Sequence, residues 1–478
     1  MSICPAATMT YPIPPPFDTW HWLQACQQTW LAGLDPLGTG ARLRAQRLDA
    51  LIDDARRRSP LYARRAAQAK TLADFEPVGK ALLMQHFDDW ATDRRITRDA
   101  VDRFIASQAS VAEAWLGRYL VWTSSGTSGQ PGIFVQDAAS LAAIDAIDAL
   151  RLRSADPMQP GLGLWGWGRR FAYVGAIGGP YAGNVNLLRL QRIAPALCAP
   201  HIDRLSVLEP LARLAERLQV LQPDVLITYP SCAMALAHRQ ASGSLSLRLA
   251  ELWLGGEQLS AAQRKLLGDT FGCPVRNSYG ASEFYSIAFE CGHGRLHLND
   301  DWVMLEGVDA QGRMVPVGEF SHSTLLTNLA NRVQPLIRYE LTDRVRFVGQ
   351  RCACGCAFPV IEVQGRSDDT LSLPGLDGSV VTLLPLALET VIEEQAEVTH
   401  FQLLLRQDGV LELRLPADIG DVQAAAQRCR RALLGYFTLQ GLAPPSLVLG
   451  QDDPLRRPGS GKLGRVINQL HPPAVLSP

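Results

Sequence analysis

The chain of 478 residues lacks any uninterrupted apolar run of the roughly 18 residues that a membrane-spanning helix needs. It also lacks an excess of either charge: 46 Lys and Arg against 47 Asp and Glu leave a net charge of −1. That balance gives no support to a nucleic-acid binder or to a protein held on a membrane surface, both of which need a basic excess. No Lys or Arg precedes Arg42 and no apolar core marks the first residues, so a secretory signal is not expected. Ten cysteines are too few for a disulfide scaffold in a chain this long. Five of them, Cys273, Cys291, Cys352, Cys354 and Cys356, crowd together, which suits metal or reduced thiols in a cytoplasm. Lysine is scarce as well, with only Lys70, Lys80, Lys265 and Lys462. A chain that uses arginine as its cation keeps a lysine either by accident or where a compact ammonium is needed. What is abundant is apolar surface: 47% hydrophobic against 19% charged residues allows a large core and excludes intrinsic disorder. The length suggests about three domains or subdomains. A cytoplasmic globular enzyme is the expectation.

Residues 1–20 are proline-rich and read as an extended lead-in. From Trp20 to about Lys80 the spacing predicts helices, a lead-in that runs on to about residue 118. After Thr123, short apolar runs alternate with helical patterns. A helix over Leu205–Val220 precedes a strand Val225–Thr228, and a helix Ala261–Phe271 precedes a strand Val275–Tyr279. This alternation argues for an α/β fold with a doubly wound sheet. From Leu296 to Val348 the chain becomes β-rich. Beyond Asp369 the pattern predicts strand Val380–Leu383, helix Pro385–Gln395, strands Phe401–Arg406 and Leu411–Leu415, and helix Val422–Phe437, enough for a small α+β domain. The expected division is therefore 1–368 and 369–478.

Thr123-Ser124-Ser125-Gly126-Thr127-Ser128-Gly129-Gln130-Pro131-Gly132 follows an apolar segment and precedes a helix around Ala138–Leu150. Glycines let such a loop point its N–H groups inward, and hydroxyls add donors, which makes a cradle for phosphate oxygens. By itself the run reads first as a flexible turn, and no Gly-Lys-Ser/Thr closes it as a P-loop would require. Four later segments give it company: Tyr279-Gly280-Ala281-Ser282-Glu283 and Arg338-Tyr339-Glu340-Leu341-Thr342-Asp343, each placed after a strand, then Gly365-Arg366-Ser367-Asp368-Asp369, and Arg456-Arg457-Pro458-Gly459-Ser460-Gly461-Lys462 near the C-terminus.

In that order these five motifs resemble the adenylate-forming superfamily of acyl-CoA synthetases, peptide-synthetase adenylation domains and luciferases, and within it the phenylacetate-CoA ligase family. The resemblance covers roughly Leu120 to Arg465. It implies that ATP and a carboxylic acid give an acyl-adenylate and pyrophosphate, and that the acyl group then passes to the thiol of coenzyme A or of a carrier-protein phosphopantetheine. By the same resemblance Ser124, Ser125, Gly126, Thr127, Ser128 and Gly129 would hold phosphates. Glu283 would coordinate Mg²⁺, with Ser282 on the α-phosphate. Asp343 would accept hydrogen bonds from the ribose, and Gly255, Gly256 and Glu257, together with Tyr279 and Gly280, would flank the adenine. Asp368 would be the hinge of a small C-terminal lid domain, with Arg366 reaching the nucleotide. Lys462 would be the adenylation lysine, a mobile cation for charge developing between carboxylate and α-phosphate. The chain departs from the family at Gln130, where lysine is usual, and at Thr342, where glycine is usual.

Cys291-Gly292-His293 and His297, followed by Cys352-Ala353-Cys354-Gly355-Cys356, read as paired Cys/His elements of a tetrahedral Zn²⁺ site. The expected ligands are Cys291, His297, Cys352 and Cys354, with His293 and Cys356 as substitutes, in a structural site with no open position. Unliganded thiols and an ordinary core histidine are the alternative. An aromatic and glycine-rich stretch, Trp165 to Gly179 with Trp167 and Tyr173, together with Tyr229, Gly256 and Ala281, would line a flat pocket suited to an aryl acid. No charged residue within those segments announces an amino group on the substrate. Coenzyme A and an acyl carrier protein present the same thiol, and oligomeric state is not written in the sequence. Two other readings stay open: a binding or scaffold protein with a decayed site, and an amide ligase whose acyl-adenylate meets a non-thiol acceptor.

Overall fold

The computed structural model describes residues 16–34, 38–107, 111–124, 131–152, 169–197, 202–341, 343–364, 371–398, 400–417, 419–454 and 464–470. Ser125 to Gln130, Trp167, Thr342, Arg366, Asp368 and Lys462 lie outside the described residues, as does the expected domain boundary at 368/369.

The N-terminal third is helical, with Thr19–Leu34, Thr39–Arg58 and Pro60–Arg65 leading. Strands β1 (Leu120–Thr123) and β2 (Ile133–Gln136) pair antiparallel on either side of the glycine-rich loop. The helix Ala138–Arg151 follows, with Asp137 capping it through Ser140 N. Next come β3 (Phe171–Gly175), β4 (Ile202–Ser206), β5 (Val225–Thr228), β6 (Glu251–Leu254) and β7 (Val275–Ala281), all parallel and each joined to the next by a helix. Because β3 pairs with both β4 and β5, the winding reverses between β3 and β5. That reversal is what makes the sheet doubly wound, and it opens a crevice at the carboxyl ends of the strands.

Strands β8 (Phe284–Glu290) and β9 (Leu296–Leu298) extend the sheet antiparallel from β7. A separate three-stranded sheet is formed by β10 (Val303–Val308), β11 (Ser323–Asn328) and β12 (Tyr339–Leu341). Then β13 (Arg344–Val348) and β14 (Val360–Gln364) return to complete a nine-stranded sheet ordered β13-β14-β9-β8-β7-β6-β5-β3-β4. The C-terminal part has a hairpin, β15 (Leu371–Pro374) and β16 (Val380–Leu383), and a four-stranded sheet of β17 (Gln402–Leu405), β18 (Leu411–Arg414), β19 (Leu447–Leu449) and β20 (Val466–Asn468). Helices Pro385–Gln395 and Val422–Leu439 cover that sheet. One apolar cluster runs from Leu214 and Cys232 of the parallel half to Leu388 and Phe437, and Gln440 donates to the Leu208 carbonyl at 2.9 Å.

The expected α/β architecture and the strand–helix series after Asp369 are therefore present. The helix expected over Leu205–Val220 is corrected: Leu205 and Ser206 end β4, and the helix is Leu211–Leu221. Pro210 sits just before its first residue, and proline in a helix interior would remove a hydrogen bond and clash with the preceding turn. Two motifs expected after strands are instead partly within them, since Tyr279–Ala281 end β7 and Tyr339–Leu341 form β12.

The helix Ala138–Arg151 is buried on nearly every side. Its last residue, Arg151, reaches Asp301 at 2.8 Å and Asn299 at 2.7 Å, and its guanidinium lies 4.2 Å from the ring centroid of Phe358. Arg47 of the N-terminal helices donates to the Asp301 carbonyl at 2.5 Å and stacks over Trp302. Removing one partner of a buried pair strands the other charge, which costs about 3–5 kcal/mol. Arg151→Ala should lower stability by that amount in urea denaturation; a loss below about 1 kcal/mol would contradict this role.

Candidate active site

A cleft of about 1520 Å³ opens where β3, β5, β6 and β7 end. Leu386, Thr390 and Glu393 of the helix Pro385–Gln395 form part of its wall, so the C-terminal part closes one side. Tyr181, also on the cleft, is hydrogen-bonded to Glu394 of the same helix.

Tyr279, at the end of β7, donates its hydroxyl to Asp343 Oδ2 at 2.9 Å. Asp343 follows β12 and is anchored by Thr324, whose hydroxyl donates to the Asp343 carbonyl at 2.8 Å. Two residues 64 apart in sequence thus meet because β7 and β12 belong to sheets that face one another. Gly255 and Gly256 follow β6 on the opposite wall. Gly256 has φ +79°, and a Cβ there would stand 3.0 Å from the Tyr229 ring. Glu257, next in the chain, lines the cleft beside them. Its carboxylate accepts from Ser231 N and Ser231 Oγ, both at 2.8 Å, and so caps the helix Pro230–Ala241.

Ser282 and Glu283 sit in the tight turn between β7 and β8. The turn is held from both sides: Trp122 Nε1 donates to the Ser282 carbonyl at 2.8 Å, and Asn328 Nδ2 donates to the Glu283 carbonyl at 3.0 Å. Burial raises the Glu283 carboxyl above its usual range, while a hydrogen bond from Tyr339 and the charge of Lys80 pull it back. Lys80 was not singled out by any motif, yet it lines the cleft. Val78 pairs with Tyr339 as a short extension of β12, with Val78 N donating to Arg338 O and Glu340 N to Val78 O at 3.1 and 2.9 Å. That ladder delivers Lys80, two residues on, to the Glu283 side of the cleft. The scarcity of lysine was the one signal that pointed to it.

Ser124 marks the base of the glycine-rich loop. Its N–H donates to Gly132 O at 2.9 Å, and Gly132 N donates back to Ser124 Oγ at 2.8 Å. The loop is therefore pinched shut at its root, beside the cleft.

At the other end, around the β3/β5 reversal, Tyr173, Tyr229 and Trp253 form an aromatic wall, with Tyr173 and Tyr229 hydroxyls 3.4 Å apart. Tyr285, Ser286 and Asp148 line the same cleft. Asp148 was also missed: it accepts from Ser286 Oγ at 2.9 Å, and burial pushes its carboxyl up to about 7. Its trace in the sequence is a pair of aspartates, Asp145 and Asp148, in the middle of a largely apolar helix.

Away from the cleft, the ligating atoms of Cys291, His297, Cys352 and Cys354 all lie within 4.8 Å of one another. The Cys291 and Cys352 sulfurs are 3.7 Å apart, and Cys354 Sγ is 3.3 Å from His297 Nε2. A tetrahedral site with metal–sulfur bonds of about 2.3 Å has sulfur–sulfur edges of about 3.7 Å, so the donor set fits. His297 Nδ1 is 2.9 Å from the Phe358 carbonyl, an arrangement that directs Nε2 toward the cluster. The β9/β14 pairing, with His297 opposite Val360, brings the two cysteine turns together. His293 is exposed outside the group, and Cys356 contributes only its N–H, to Cys354 Sγ at 3.4 Å. Cys273 is buried in the apolar cluster of the parallel half.

No protein-family model matches the sequence, and no curated protein matches it. The fold does match solved structures. One is 2-hydroxyisobutyryl-CoA ligase in complex with 2-HIB-AMP and CoA in the thioesterification state, at 20% identity and TM-score 0.55 over 92% of this chain and 91% of that chain. Another is the same ligase in the postadenylation state with R3-HIB-AMP, at 18% identity and TM-score 0.53 over 92% and 91%. The chain therefore has the fold of that CoA ligase over nearly the whole of both chains. The match does not bear on the phenylacetate-CoA ligase family.

Gly280 is fixed by the backbone: a Cβ there would collide with the carbonyl oxygen of Tyr285, where β7 shifts register against β8. At Gly255 a Cβ would meet only the Ser278 hydroxyl, at 3.0 Å. Gly280→Ala should cost more than about 2 kcal/mol in chemical denaturation and Gly255→Ala less than about 1 kcal/mol. Equal costs would show that the turn relaxes freely.

Proposed function

We propose that the chain activates a carboxylic acid with ATP and passes the acyl group to a thiol, that of coenzyme A or of a carrier-protein phosphopantetheine. The observation that carries this reading is the convergence of Tyr279–Asp343, Tyr339–Glu283 and Lys80 with the root of the glycine-rich loop on one cleft. In the first step a carboxylate oxygen attacks the α-phosphorus, and the bond to pyrophosphate breaks. In the second the thiolate attacks the acyl carbon and AMP leaves. Asp343 accepts from the ribose hydroxyls, in exchange for or beside the Tyr279 hydroxyl. Gly255 and Gly256 leave room for the planar base. Glu283 holds Mg²⁺, and Ser282 and the hydroxyls of 124–128 bind phosphate oxygens. Lys80 supplies the ammonium that Gln130 does not. Lys462 acts at the α-phosphate, and the part after Asp368, with Arg366 at its edge, turns between the two steps. The aromatic wall of Tyr173, Tyr229 and Trp253 supports an aryl acid. The four-donor cluster supports a structural Zn²⁺ on Cys291, His297, Cys352 and Cys354.

The test is pyrophosphate release with Mg-ATP across aryl and aliphatic acids. Acid-dependent release should fall on the order of a hundredfold or more in Lys462→Ala and in Glu283→Gln. Lys80→Ala should raise the KM for ATP about tenfold, the weight of one charged contact. Because the Glu283 carboxyl is raised and must be ionised to hold Mg²⁺, the Mg²⁺ requirement should steepen as pH falls through that raised value. A folded, ATP-binding protein that releases no pyrophosphate with any acid would instead be the scaffold. For the metal, mass spectrometry should find about one zinc per chain. Cys354→Ser should lose it along with thermal stability while keeping pyrophosphate release below its melting temperature. Purified protein without zinc, equally stable as Cys354→Ser, would refute the site.

A further inference from the structure

Three ionisable residues of the buried helix Ala138–Arg151 face inward, and two of them are ion-paired. Asp145 is paired with Arg189, and Arg151 is divided between Asp301 and Asn299. Asp148 is not. Its Oδ1 accepts from Ser286 Oγ at 2.9 Å, but Oδ2 is buried without a hydrogen-bond partner among the described residues. The residue is 1% exposed and lies on the wall of the cleft, which Tyr173, Tyr285 and Ser286 also line. Ser286 is itself fixed, since its carbonyl accepts from Asn299 Nδ2 at 2.7 Å and Asn299 is held by Arg151. The residue is thus supported from behind by Ser286, and it lies on the cleft wall with one buried carboxylate oxygen unpaired.

A buried carboxylate oxygen without a donor costs stability, and native proteins rarely keep one without use. We propose that Asp148 is the specificity-determining residue of the acyl pocket: the acid activated here carries a hydrogen-bond donor, a hydroxyl or an amino group, that donates to Asp148 Oδ2. This rests on reading the cleft as an acid-activating site, and it narrows the substrate class within that reading. Burial, with the charge of Asp145, pushes the carboxyl up to about 7, and a donor on the ligand favours its ionised form. Tyr285, whose environment is set partly by both Asp148 and Tyr173, links the two walls between which such a substituent would sit. The space is kept open by Gly183, where a Cβ would stand 3.1 Å from the Tyr173 hydroxyl and 4.0 Å from that of Tyr285.

The test compares kcat/KM for acid-dependent pyrophosphate release in wild type, Asp148→Leu and Asp148→Asn. The acids form matched sets: benzoate, its hydroxy, amino and methoxy derivatives at each ring position, and butyrate with its hydroxy and amino derivatives. In wild type at least one hydroxyl- or amino-bearing acid should exceed its unsubstituted parent and its methoxy analogue by on the order of a hundredfold or more. The hydroxy and amino arms identify which donor is used. Asp148→Leu should lose that preference through KM for the donor-bearing acid and gain on the parent acid, with KM for ATP unchanged. Such an inversion would not follow from loss of stability. Asp148→Asn keeps the shape and an acceptor oxygen, so it should retain part of the preference, and it decides the matter if the leucine variant does not fold. Activation of parent and methoxy acids as well as donor-bearing ones, or a preference untouched in both variants, would overturn the role of Asp148 and leave acid activation standing. No release with any acid would overturn both.

Discussion

Strand β7 is parallel to β6 on one edge and antiparallel to β8 on the other, and the rest of the molecule depends on that double allegiance. A parallel sheet alone would end in loops at its carboxyl edge and could not turn back at once. By reversing directly into β8, the chain places Ser282 and Glu283 in a tight turn, with β7 ending so close to β8 that position 280 cannot hold a side chain. The register shift between Tyr279 and Ala281 is the local consequence. The same reversal carries the chain into β9, and from there to the second sheet that returns Tyr339 and Asp343 to face it. One change of strand direction thus assembles both halves of the proposed nucleotide site and, at the far end of β8 and β9, the turn that holds Cys291.

Charge is handled differently on the two sides of this scaffold. Behind the cleft, Arg47, Arg151 and Asp301 form a closed buried network in which the main groups are hydrogen-bonded. It ties the N-terminal helices to the sheet through side chains from three distant segments. In the cleft, by contrast, Glu283 and Asp148 are buried carboxylates with raised proton affinity. One of the four lysines is given a reason by this arrangement, since Lys80 lines the cleft and its charge acts on Glu283. Buried carboxylates that are not fully neutralised by the protein are the expected mark of a site awaiting ligands.

Much of this was legible beforehand, because local pattern and tertiary structure agree over most of the chain. The helix Ala261–Phe271 carries its own capping box of Ser260 and Gln263, and its limits were readable to the residue. The Cys and His quartet was readable because zinc chemistry restricts both residue types and flanking glycines. The residues that escaped, Lys80 and Asp148, belong to none of the five motifs. Lys80 reaches the site through a backbone bridge to β12, and Asp148 through the packing of one helix on β8, with Ser286 as the contact. Contacts of that kind are set by sheet order, which no local signal records. The misplaced helix start at Leu205 has a simpler cause: apolar spacing was followed past Pro210, where the backbone could not follow.

The central claim is that this cleft joins a carboxylate to the α-phosphate of ATP before any thiol takes part. Acid-dependent exchange of labelled pyrophosphate into ATP, measured without thiol, tests it most directly. The account predicts exchange that requires both the acid and Mg²⁺ and is abolished in Glu283→Gln. Exchange that needs no acid, or none at all in protein shown to bind ATP and retain its fold, would contradict it.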